Sequence, residues 1–258
     1  VNTHAAQNLE QETRRKYTGG FYRPDSIMRR DARGGYFERL DKVKSQLVRK
    51  HIANRRVLDL CCATADRLFE NAREIPFGCG ADFSIPFLKK AHEKITPADP
   101  LAFLCANARA LPFRTATFEA VYCLASLYYI PRIRQVTHEI SRILEPGGIA
   151  ILEMGNRSSL NTLVARAHPE TAAPCHIPIG EMKRMLTLAG LEIEEHHAFQ
   201  ILPLWGNRPH WLRPLLGERA RRLMSQPIAG RMIDEWLCRI PGLSRFAFRH
   251  LFVCRRRS

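Results

Sequence analysis

The chain has 258 residues, of which 45% are hydrophobic, with 40 Lys and Arg against 25 Asp and Glu for a formal net charge of +15. Those proportions belong to a globular domain and exclude a disordered tail, a collagen-like repeat and a coiled coil. No stretch free of Asp, Glu, Lys and Arg exceeds 12 residues, whereas a membrane-spanning helix needs about 18 or more apolar residues in a row.

Residues 57–62 are a short apolar run ending in small side chains and predict a first strand, followed by a short helix over 66–74. Strands are predicted at 78–82, 101–105 and 119–124, with a helix over 86–95 between the first two of these. Over 132–144 the residues Ile133, Val136, Ile140, Ile143 and Leu144 fall on one side of a helix, then Pro146-Gly147-Gly148 makes a turn into a strand at 149–152. Beyond a loop at 169–178 come a helix over 181–189 stopped by Gly190, a strand at 191–198 and a late strand at 246–254. Strands alternating with helices imply βαβ units with right-handed crossovers. The expected fold is α/β: a Rossmann-like, doubly wound, mostly parallel sheet with helical caps at both ends of the chain.

The charge is segregated. Residues 1–56 carry +8, residues 57–200 carry −2, and residues 201–258 carry +9 with every basic side chain an arginine. This divides the chain into a basic helical N-terminal cap at 1–56, a core at 57–200 and an Arg/Trp-rich cap at 201–258 that ends in the late strand. Trp205, Trp211 and Trp236 all lie in that last segment, interleaved with Arg208, Arg213 and Arg219. Such a mixture suits a helical cap that buries its aromatics, a segment at the headgroup level of an anionic membrane, or both. Nucleic acid ranks last as a partner, because no recognisable binding module accompanies the charge. The N-terminal residues lack the apolar core of a signal peptide, and the 8 cysteines show no paired C-x-x-C spacing. A cytoplasmic, reducing location with no metal site is expected.

In a doubly wound sheet, ligands bind at the carboxyl ends of the strands, around the first strand-to-helix turn. Here that turn reads V-L-D-L-C-C-A-T-A-D from Val57 to Asp66. Asp82 ends the second predicted strand, 23 residues after Asp59, where a carboxylate can hold a ribose, and Phe83 beside it can pack on a base. The turn is neither G-x-G-x-x-G nor a phosphate loop. Asp66 would repel a pyrophosphate and attract an ammonium group, so a ligand with an amino-acid portion is expected.

From about Arg55 to Ala198 the sequence resembles the class I S-adenosylmethionine-dependent methyltransferases, and within them the ubiquinone/menaquinone-biosynthesis C-methyltransferases. That group's D-x-C-C-G-T-A-D stands here as D-L-C-C-A-T-A-D, and its G-x-D-F-S as Gly80-Ala81-Asp82-Phe83-Ser84. N-A-x-x-L-P-F appears from Asn107 to Phe113, T-F-D-x-V as Thr117-Phe118-Glu119-Ala120-Val121, and R-x-L-x-P-G-G from Arg142 to Gly148. The resemblance implies S-adenosyl-L-methionine as cofactor. It places Asp59 and the turn from Cys61 through Ala65, Ala63 included, at the methionine portion, Asp82 at the ribose, Asn107 and Ala108 at the adenine, and Leu124 along the wall after the fourth strand. Two departures stand out. Ala63 occupies a position where the group has glycine, and Ala125-Ser126-Leu127-Tyr128-Tyr129 replaces its G-L-R-N.

The expected function is methyl transfer to a small-molecule or lipid-linked acceptor, with a peripheral location on the inner face of the membrane. The alternative, motivated by Ala63, is a catalytically weak or inactive relative that scaffolds a partner. Tyr128 and Tyr129 sit where substrate-facing residues are found, and His168 and His176 flank a loop over the acceptor side. His196 and His197 are read as a strand end with one side in solvent. No catalytic base is singled out, because a sulfonium is already activated and positioning carries much of the barrier reduction.

Overall fold

A computed structural model describes residues 35–167, 175–204, 210–216, 218–240 and 242–258, with Gln11 and Arg15 besides. Helix α1, Tyr36–Ile52, buries Tyr36, Leu40, Lys44, Val48 and Ile52 at four-residue spacing along one stripe, the pattern of a helix with one face against a core. Lys44 is the foreign member of that stripe. The chain then enters β1, Arg56–Leu60, whose last four residues are buried. Next come α2 (Asp66–Glu70), β2 (Phe77–Asp82), α3 (Ile85–His92), β3 (Leu101–Cys105), β4 (Phe118–Cys123) and α4 (Ile133–Ile143). The core continues with β5 (Leu144–Gly155), α5 (Leu160–Arg166), α6 (Ile179–Leu188) and β6 (Leu191–Phe199). In the C-terminal segment lie α7 (Arg213–Leu216), α8 (Glu218–Met224), a hairpin of β7 (Pro227–Ile228) and β8 (Arg231–Met232), α9 (Ile233–Leu237) and β9 (Arg249–Arg256).

The main sheet runs β3-β2-β1-β4-β5-β9-β6. β9 is antiparallel to both of its neighbours, β5 and β6, while the pairs from β3 to β5 are parallel. This is the expected doubly wound α/β fold. Side chains of α1, α3 and the C-terminal segment (Leu40, Leu88, Met224) share one apolar cluster. Those of α4 and α6 (Val136, Ile140, Met182, Leu186) fill the other. Both faces are therefore covered, which is why β1 reads as a nearly continuous apolar run without alternation. The strand order reverses between β1 and β4, and the carboxyl ends of those strands are the topological switch point.

Three local readings change. The helix expected over 66–74 breaks at Asn71, whose side-chain amide donates to the Arg67 carbonyl at 2.7 Å and competes with the helical ladder; Ala72–Glu74 continues as a single 3₁₀ turn. The Pro146-Gly147-Gly148 turn lies inside β5 as a bulge, since the register jumps from Phe118↔Leu144 to Ala120↔Ile149. The late strand begins at Arg249 rather than 246, because Ser244–Phe246 is a 3₁₀ turn.

Candidate functional site

Five of the predicted site residues, Cys61, Asp82, Phe83, Asn107 and Ala108, line one pocket at the carboxyl ends of β1, β2 and β3. Tyr129, Ile130 and Pro131, just past the end of β4, close it, together with Arg109. Asp59, Ala63 and Leu124 are not on its wall. Asp59 is buried in β1, Leu124 is buried at the end of β4, and Ala63 lies in the turn behind. Asp66 is already paired, accepting from the Thr64 hydroxyl at 2.7 Å and from Lys94. Its expected attraction for an ammonium group is therefore largely spent within the protein.

The turn after β1 holds Cys61, Ala63 and Ala65 at φ of 62°, 49° and 55°, so alternate residues are left-handed. An L-residue in that region costs about 1–2 kcal/mol because Cβ crowds the following carbonyl. The conformation is imposed by hydrogen bonds: Cys61 N–H donates to the Ala81 carbonyl at 2.7 Å and Ala63 N–H to Asp82 Oδ2 at 2.9 Å. Ala63→Gly removes the clash but adds unfolded-state entropy, so a net stabilisation of about 0.5–1 kcal/mol is expected. Thermal unfolding checks this; an unchanged or lower melting temperature would show that the turn carries no strain at this position.

Asp82 is buried, with Oδ1 accepting from Ser84 N–H at 2.8 Å and Oδ2 from Ala63 N–H at 2.9 Å. Burial raises its carboxyl above the ordinary value, and the N–H groups of Ser84, Ala63 and Phe83 oppose that rise. A carboxylate has about four lone-pair sites, so capacity for a further donor remains. Burial pushes Asp59 up to about 7; Tyr122 and Arg67 oppose, while Asp82 and Asp66 add to it. Asn107 Oδ1 accepts from Arg109 N–H at 3.0 Å, folding the loop over the pocket.

A second polar cluster, which the sequence reading missed, lies at the end of β5. Glu153 is fully buried and accepts from Lys44 Nζ at 3.0 Å, Ala125 N–H at 3.1 Å and Arg249 Nη1 at 2.5 Å. Arg249 also donates to the Tyr128 hydroxyl at 3.1 Å and to Gln200 Oε1 at 2.8 Å. Burial alone would raise the Glu153 carboxyl, but Lys44 and Arg249 more than offset it and hold it at about 2. Lys44 is itself lowered: burial outweighs its share of a carboxylate that also serves Arg249. A charged residue inside an apolar pattern, Lys44 in α1 and Glu153 in I-L-E-M, was the available signal.

Tyr128 and Tyr129 thus divide: Tyr129 lines the pocket and Tyr128 belongs to this cluster. His176 packs against the backbone of Gly155, where a Cβ would come within 2.7 Å of its ring. The Thr162 hydroxyl donates to the Asn156 carbonyl at 3.0 Å, so its oxygen receives the His176 Nδ1 proton at 2.9 Å and Nε2 is left bare. Burial, with Arg249 and Arg166 adding, pulls His176 down to about 4; it is neutral and a weak base at neutral pH. His168 and Trp205 lie outside the described residues. His196 does not simply face solvent: its Nε2 bonds His250 Nδ1 at 2.9 Å and its ring stacks on Phe252. Trp211 and Trp236 are exposed, contrary to a cap that buries its aromatics.

Residues 57–148 match a family described as a methyltransferase domain. A demethylmenaquinone methyltransferase of Lactiplantibacillus plantarum is 39% identical over 111 residues, covering 40% of this chain and 47% of that protein. The chain therefore spans about half the length of this curated relative. Among solved structures, the geranyl diphosphate C-methyltransferase of Streptomyces coelicolor superposes with a TM-score of 0.60 at 17% identity, over 85% of this chain and 80% of that one. The [4+2]-cyclase SpnF superposes with a TM-score of 0.59 at 18% identity, over 88% and 84%. These likenesses establish the class I methyltransferase fold, and the cyclase shows that the fold by itself does not dictate the chemistry.

Proposed function

We propose that this chain is an S-adenosylmethionine-dependent methyltransferase acting on a small-molecule or lipid-linked acceptor. The observation that carries the reading is the pocket at the switch point, where Asp82 turns a carboxylate with spare acceptor capacity toward a wall of Phe83, Asn107 and Ala108, within the stretch that matches the methyltransferase domain. In this assignment Asp82 holds the ribose hydroxyls, Phe83, Asn107 and Ala108 border the adenine, and Cys61 meets the methionine portion, with Asp59 and the rest of the Cys61–Ala65 turn supporting it from behind. Leu124 supports the wall at the end of β4. The cofactor, when bound, supplies an activated methyl group. The chain's own residues bind it, orient it and exclude water, and no side chain is assigned a proton transfer.

Tyr129, Ile130 and Pro131 form the acceptor side of the pocket, and the segments 1–56 and 201–258 complete it as caps on the 57–200 core. The relatives' demethylmenaquinone points to a quinone-type acceptor, but Ala125–Tyr129 replaces the group's G-L-R-N at this wall. A different ring or a lipid-linked acceptor is therefore favoured. Isothermal calorimetry with S-adenosylhomocysteine should show micromolar binding, about −8 kcal/mol. Absence of heat at high protein concentration would sink the assignment. The scaffold alternative rests on Ala63 alone, and the turn holds that residue at a left-handed φ of 49° without a glycine.

We further propose that the protein is cytoplasmic and binds the inner face of an anionic membrane through its C-terminal segment. Trp211, Leu223, Ile228, Trp236, Ile240, Leu243 and Phe246 are all exposed there, within a stretch of net charge +9. Each basic group near such a surface contributes about 1 kcal/mol, screened over about 8 Å at physiological salt. No helix among the described residues is long and apolar enough to cross a membrane. The protein should co-sediment with phosphatidylglycerol-containing vesicles and not with phosphatidylcholine alone. Salt and the double reversal Arg219→Glu/Arg222→Glu should weaken it. Indifference to anionic vesicles at low salt would refute the membrane reading.

A further inference from the structure

We infer that a polar cavity between the end of β6 and helix α9 is a binding site for the phosphate headgroup of an anionic lipid, separate from the cofactor pocket. The cavity holds about 290 Å³ and is lined by His196 and Phe199 of β6, Arg231 of the hairpin, and Glu235 and Arg239 on and beyond α9. β6 is the far edge strand of the sheet, four strands from β1; at about 4.8 Å per strand those two strands are about 20 Å apart.

The wall is built for an anion. Arg231 and Arg239 both lie over the Trp236 ring, at 6.0 and 5.8 Å from its centroid. That ring is itself anchored by Nε1–H donating to the Ile228 carbonyl at 2.9 Å. Glu235 approaches Arg231 only to 4.0 Å, and its other oxygen accepts Met232 N–H at 2.9 Å. Arg239 has no ion pair among the described residues. Two guanidiniums thus share with one carboxylate a cavity near the lower end of ligand-pocket size, and the planar donor fork of a guanidinium matches a phosphate.

The histidines define the polarity of the opposite wall. The His250 ring nitrogen Nε2 lies 3.1 Å from the Ala247 carbonyl, so it carries the proton, and its Nδ1 accepts from His196 Nε2–H at 2.9 Å. This contact turns the His196 Nε2–H toward His250. Ile228, Trp236, Ile240, Leu243 and Phe246, all within five positions of a lining residue in the chain, are exposed apolar side chains. A polar cavity accompanied by such side chains matches a headgroup whose acyl chains leave across them. The lipid source rests on the membrane reading above; the phosphate site itself does not.

The test uses the full chain and two probes. Glycerol phosphate, titrated by calorimetry, reads the cavity without a bilayer; phosphatidylglycerol vesicles read the lipid. Saturable glycerol phosphate binding is expected, weakened roughly tenfold or more in Arg231→Ala/Arg239→Ala by loss of charge-assisted bonds. It should tighten in Glu235→Gln, which keeps the Met232 contact and removes the negative charge. Vesicle binding should follow the same order, with S-adenosylhomocysteine binding unchanged. Glycerol phosphate binding without vesicle binding would overturn the lipid source. Vesicle binding that responds to Arg219→Glu/Arg222→Glu but to neither cavity variant would overturn the cavity and leave the membrane reading standing.

Discussion

Asp82→Ala should lower affinity for S-adenosylhomocysteine at least tenfold, and it is the largest effect expected on binding. Two charge-assisted hydrogen bonds to ribose hydroxyls are worth about 1.5–3 kcal/mol each. A second consequence comes from the structure: the same carboxylate accepts Ala63 N–H and Ser84 N–H, so its loss also releases the left-handed turn. Asp82→Asn separates the two roles. Its amide oxygen can keep one backbone bond, which should restore much of the thermal stability while affinity remains low. Calorimetry and thermal unfolding of the two variants make the comparison. Wild-type affinity in folded Asp82→Ala protein would show that the cofactor site lies elsewhere.

The largest effect expected on stability is at Glu153. Removing the shared carboxylate leaves Lys44 and Arg249 buried without a counter-charge, and breaking such a pair costs about 3–5 kcal/mol. Glu153→Gln should therefore lower the melting temperature sharply at neutral pH. The pH dependence has a definite sign. The folded carboxyl is held at about 2 against an ordinary 4.5, so its contribution is complete above about 4.5 and is lost as pH falls toward 2. The gap between wild type and Glu153→Gln should thus close on acidification through that window. A gap that stays constant from neutral pH into strong acid would mean that Glu153 is not the ionised partner of these cations. His176 and His196, held at about 4 and 3 by burial, add an acid limb common to both proteins. Each must take up a charge in a buried place as pH falls from the ordinary 6.5.

Short apolar runs separated by amphipathic helices were enough to predict the doubly wound sheet, because strands buried on both faces leave a continuous signal and α4 a periodic one. The pocket proposed for the cofactor was legible for the same local reason. Cys61, Asp82, Phe83, Asn107 and Ala108 sit at strand ends and turns, and a parallel sheet brings all such ends to one edge. Asn71 and the Gly147 bulge escaped because a side chain competing with a helix and a register jump leave no periodic trace.

The sheet, the edge that carries the pocket and the carboxylate at the end of β2 could all be read from local pattern. The alternation of Cys61, Ala63 and Ala65 through left-handed backbone could not, since that conformation is imposed by Ala81 and Asp82 across the strand pair. Folding alone joined Lys44, Glu153 and Arg249, which are separated by 109 and 96 positions in the chain. It likewise set Arg231 and Arg239 on one indole. Local pattern fixes which face of an element is buried. Which charges meet there depends on long-range packing, and no periodicity in the chain encodes it.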